Sequence, residues 1–90
     1  MHFILLFKFR GKPPRDLAER VEELSRRPPP GFKPYGFYWT LGSLDAVWHV
    51  EAESVPEALL AALRFREIAD VEVLPALPLG EVSRLLEKPD

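Results

Sequence analysis

The chain has 90 residues and a formal charge of −2, with 47% apolar and 29% charged residues. This is the balance of one water-soluble domain, and the charge argues against a dedicated nucleic-acid binder. There is no Cys, Asn or Gln. That excludes a disulfide scaffold and any Cys-ligated metal, and with ten Pro it gives the composition of a heat-adapted protein. Residues 1–34 hold eight basic and four acidic groups, and the rest of the chain holds four and ten. Such unevenness suggests packing between elements or self-association more than binding to DNA.

The run Phe3-Ile4-Leu5-Leu6-Phe7 is apolar at every position, as in a central strand covered on both faces. It lacks a basic leader and is far too short to span a membrane, so a cytoplasmic protein is expected. Gly11 to Pro14 break the strand, and Pro14 suits the first turn of a helix. Leu17, Val21 and Leu24 fall on one helical face, with Glu22–Arg26 and Glu23–Arg27 at i,i+4 spacing outside. Pro28 to Pro30 and Gly31 end that helix.

Residues 35–52 read as a hairpin. Gly42-Ser43 suggests a type II′ turn, with φ > 0 at Gly42. The register then pairs Phe37 with Trp48, Tyr38 with Val47 and Trp39 with Ala46. One face becomes Tyr35, Phe37, Trp39, Leu41, Leu44, Ala46, Trp48, Val50 and Ala52. The other is mixed: Gly36, Tyr38, Thr40, Asp45, Val47, His49 and Glu51. Ser54 and Glu57 form a capping box for a second helix, whose buried face is expected to be Leu59, Leu60 and Leu63, with alanines allowing close approach. Asp70 to Leu74 alternate as a strand, and Pro75 either places it at a sheet edge or ends it there. A terminal helix over 80–88 is expected to turn Val82, Leu85 and Leu86 inward.

The order βαββαβ with a short C-terminal helix is the ferredoxin-like α+β plan for residues 1–90. Four antiparallel strands carry two helices on one face. The other face is left without helices, and a second subunit is its simplest cover, so a homodimer or higher homo-oligomer is expected.

The segment FYWTLGSLDAVWHVEAES, residues 37–54, resembles the signature of the GYD-domain family. That family shows an aromatic pair, Trp-Thr-Leu-Gly, Tyr-Asp, a short strand and Glu-Ala before a capped helix. Lys8-Phe9 and Leu74 to Leu77 fit its first and last strands. Leu44 stands where the family Tyr is expected, and Trp48 and His49 replace small or aliphatic residues. The resemblance implies a dimeric α/β barrel with a cleft between two sheets, and no common activity.

On the mixed face, Lys8, Tyr38, Thr40, Asp45, His49 and Glu51 are the candidate ligand-binding residues, with His2 joining them if β1 presents its polar set there. His49 is the one candidate acid or base. It reads first as a hydrogen-bonded strand histidine, with Glu51 paired to Lys8 or Arg10. The sharper alternatives are a general base beside Glu51 and, least favoured, a metal site with Asp45. No residue set has tight metal spacing, and no cofactor motif is present. Asp45 reads mainly as a turn-bracing residue, and the two Trp as core with an aromatic pocket as the alternative. The expected function is a dimeric small-molecule binding or sensing domain. The alternatives are a cofactor-independent monooxygenase- or isomerase-like enzyme using His49, and a purely structural or protein-interaction module.

Overall fold

The structure is a computed structural model that describes residues 1–87. Its elements are β1 (His2–Phe9), α1 (Leu17–Arg26), β2 (Phe32–Trp39), β3 (Ala46–Ala52), α2 (Val55–Leu63), β4 (Ala69–Ala76) and α3 (Leu79–Glu87). The four strands form one antiparallel sheet in the order β2-β3-β1-β4. This is the expected ferredoxin-like arrangement. β1 is central and β4, with Pro75, lies at an edge, where a missing N–H costs no ladder bond.

Alternation along the strands divides the sheet. Phe3, Leu5, Phe7 and Phe9 of β1 and Ala46, Trp48, Val50 and Ala52 of β3 are buried against the helices. Leu17, Val21 and Leu24 meet them from α1 as the spacing predicts. Trp48 sits at the centre, with the rings of Phe32, Phe37 and Phe65 edge-on to it at 5.8–5.9 Å. Arg10–Asp70 and Lys8–Asp45 join the basic N-terminal part to the acidic remainder across the sheet. The charge unevenness is therefore partly neutralised between elements.

Several local expectations are corrected. Pro14 precedes α1 in a turn closed by the Leu17 N–H on the Pro14 carbonyl, and Asp16 is the N-cap. Glu23 pairs with both Arg26 and Arg27, while Glu22–Arg26 does not form. Gly42 is not a positive-φ glycine, so the hairpin does not turn by type II′. The reversal is spread over residues 40–45. It is closed by the Thr40 N–H on the Asp45 carbonyl and by the Thr40 hydroxyl on the Leu44 carbonyl. Ser54 is the N-cap of α2, but its hydroxyl donates to the Glu57 carboxylate and caps no backbone N–H.

The helix faces differ most. In α2 the alanines, Ala58, Ala61 and Ala62, are buried, while Leu59, Leu60 and Leu63 are exposed. Trp48 and Phe65 fill the space beneath α2, so only methyl side chains fit between helix and sheet. In α3 no residue is buried, and Leu85 and Leu86 face outward.

Candidate functional site

The face opposite the helices carries the mixed set. The β1–β3 register sets His2 opposite Glu51 and Ile4 opposite His49, so His2, Ile4, Leu6 and Lys8 share a face with Val47, His49 and Glu51. From β4, Leu74 and Ala76 lie on this side, opposite Ile4 and His2.

Tyr35 joins this face, contrary to its expected place among the apolar residues. Pro34 pairs with Val50 and Phe37 with Trp48, so Tyr35 and Gly36 together oppose His49 alone. This is a β-bulge, and it moves everything before it in β2 to the other side of the sheet. Gly36 serves the same region. A Cβ there would lie 2.5 Å from the Tyr38 hydroxyl, so its absence lets the Tyr38 side chain fold back over the strand.

The bulge assembles a cluster. The Tyr35 ring stacks on His49 at 4.5 Å between centroids, with 15° between planes. His49 Nε2 lies 3.0 Å from His2 Nδ1, a hydrogen bond in which one imidazole donates to the other. The Tyr35 hydroxyl donates to Glu51 Oε1 at 2.7 Å, and Lys33 Nζ lies 5.2 Å from the Tyr35 ring centroid. The Tyr35 hydrogen bond holds the Glu51 carboxyl below its ordinary value; desolvation opposes it, and attraction from His2, the chain's α-amino group and Lys33 adds to it. A groove of about 490 Å³, bordered by His2, Glu51, Pro75, Leu77 and Glu81, adjoins the cluster where α3 begins.

The expected site residues therefore fall into two groups. His49 and Glu51 belong to this cluster, though Glu51 bonds Tyr35 and pairs with neither Lys8 nor Arg10. At the opposite end, Asp45 accepts a hydrogen bond from the Phe9 N–H at 2.8 Å and has Lys8 Nζ at 4.0 Å. Its bond runs to β1 and not to the backbone of the turn, so a tie between strands replaces the expected turn-bracing role. Thr40 closes the hairpin loop beside it. Tyr38, 63% exposed, lies on the sheet between the groups. No cluster of three or more metal-ligating side chains occurs among the described residues. Tyr35 is the site residue that simple alternation places on the wrong face. The signal that marks it is Pro34 and Gly36 inside a strand.

Trp48 is wholly buried as expected, and its Nε1 has no hydrogen-bond partner. Trp39, expected in the core with it, is instead 58% exposed and packs against Phe9 and Phe37 at the end of the sheet.

A family model described as a domain of unknown function, DUF3303, matches residues 1–89. The chain belongs to this family. No curated protein and no solved structure matches this DUF3303 chain. No helix among its described residues is long and apolar enough to cross a membrane.

Proposed function

We propose that this DUF3303 protein is a dimeric binding domain for a small organic molecule, held between the open sheet faces of two copies. The assembly is that of the GYD-type dimeric α/β barrels its hairpin resembles. One observation carries this reading. A sheet face without helices interleaves Ile4, Leu6, Val47 and Leu74 with the fixed cluster His2–His49–Tyr35–Glu51. Apolar walls with a few oriented polar groups are what a small-ligand site needs, and leaving such a face in water costs free energy.

Light scattering at micromolar concentration is expected to give a particle of at least twice the 10.3 kDa chain mass, and Leu6→Glu to disrupt it. A 10.3 kDa wild-type particle overturns the dimer. Ligand-observed NMR with a library of small aromatic acids and phenols tests the site. Hits whose binding is lost in His49→Ala are expected, and hits indifferent to that change would overturn it.

The His2–His49 contact favours a second reading, an enzyme in which His49 accepts a proton and shares it with His2. Oxygen uptake with a quinol panel, abolished by His49→Ala, would support it over simple binding.

A further inference from the structure

Helix α2 is apolar on both sides. Its alanines face the sheet, while Val55, Leu59, Leu60 and Leu63 are 45–62% exposed on the side away from it. A helix of a soluble protein that lies on a surface normally turns charged residues outward; one that is hydrophobic all round is normally buried. The chain's own α3 does not cover it. Its first turn, at Glu81, borders the groove at His2 and Glu51 at the end of the sheet, and the α2 leucines are exposed with α3 in place.

The charges on α2 indicate what does. Glu57 stands in its first turn and Arg64 at its C-cap. Seven residues are nearly two turns, so both lie on the same flank of the helix. With Leu60 between them, they line one pocket of about 140 Å³ alongside Leu24, Pro29 and Phe32. Arg64 has no ion-pair partner among the described residues. When two such helices run antiparallel about a two-fold axis, equal flanks meet, and the start of one lies against the end of the other.

We infer that α2 is a second self-association surface, on which α2 of another copy packs antiparallel across a two-fold axis near Leu60, with Glu57 of each chain facing Arg64 of the other. The arrangement is self-complementary in shape and charge. It sets Leu60 against its own symmetry mate and opposes the two helix dipoles favourably. α2 and the open sheet face lie on opposite sides of the sheet, so both contacts form at once. The expected assembly is then a pair of open-face dimers. This surface does not depend on the ligand site, and it exists even if the open face stays free.

Sedimentation velocity on the full-length protein from micromolar to submillimolar concentration tests it. An association step is expected that Leu60→Glu removes and that leaves any Leu6-dependent dimer in place. Arg64→Glu places like charges together and is expected to weaken the step about tenfold, the effect of losing two exposed ion pairs. Glu57→Arg combined with Arg64→Glu is expected to restore it. Far-UV circular dichroism confirms that each variant is folded. A wild-type assembly whose mass Leu60→Glu leaves unchanged overturns the proposal. So does a double swap that associates no better than Arg64→Glu alone, which would mean that another occupant or register uses the stripe. Loss of association in Leu6→Glu only would spare the proposed ligand site and sink this one.

Discussion

Tyr35 holds the candidate site together. Its ring packs on His49 and its hydroxyl fixes Glu51, so one side chain orients an imidazole and a carboxylate from neighbouring positions of β3. Removing the hydroxyl isolates one of these effects. In Tyr35→Phe the Glu51 carboxyl, normally held below the ordinary value of 4.5, is expected to titrate at higher pH. Carbon-detected NMR titration of the Glu51 side chain measures this, and an unchanged midpoint would refute the assignment. The sign for stability follows. A carboxyl whose folded pKa is lowered contributes above its unfolded pKa and loses that contribution as pH falls through the folded value, so wild type and Tyr35→Phe differ near neutrality and converge in strong acid. The pairing of Phe37 with Trp48 was readable from aromatic alternation around Gly42-Ser43. The face of Tyr35 was not, because one extra residue inverts the alternation without changing the composition of the strand.

Helix α2 shows a different limit. Hydrophobic period identifies a helix and its boundaries, and Ser54-Val55-Pro56-Glu57 marks its start correctly. Period alone does not say which of two apolar stripes faces the sheet when one is alanine and the other leucine. The size of the residues beneath decides, and Trp48 and Phe65 leave a shallow seat. Substitution therefore has inverted consequences. Ala58→Leu adds bulk where Ala58 is wholly buried, and is expected to destabilise by about 1–3 kcal/mol. Leu59→Ser, at 48% exposure, gives up about half of a leucine's burial and is expected to cost the dilute chain about 1 kcal/mol. Urea unfolding of the two variants checks the order, and a larger loss in Leu59→Ser would return the leucines to the core.

At the scale of the whole molecule, the sheet with α1 and α2 forms the packed unit and α3 stands at its margin. The four-stranded plan was legible because β1 is a continuous apolar run, the hairpin strands and β4 alternate, and Pro, Gly or a cap marks most of the breaks. The position of α3 was not, since an amphipathic pattern over Val82, Leu85 and Leu86 states that a partner surface exists without saying whose. No α3 residue is buried, so ending the chain after Pro78 is expected to shift the thermal midpoint of the dilute protein by less than about 4 °C. A larger shift in a calorimetric scan would show that α3 packs on the body more closely than its exposure indicates.

The two indoles are placed very differently, and this gives the protein a built-in optical probe. Trp48 is enclosed by phenyl rings with its N–H unbonded, while Trp39 is open to solvent at the end of the sheet. Their emission is therefore expected to be two-component, one blue and protected, the other red and open to a collisional quencher such as acrylamide. The protected component follows unfolding of the core, while the accessible one registers whatever approaches the hairpin end, so both events are separable in one unlabelled sample.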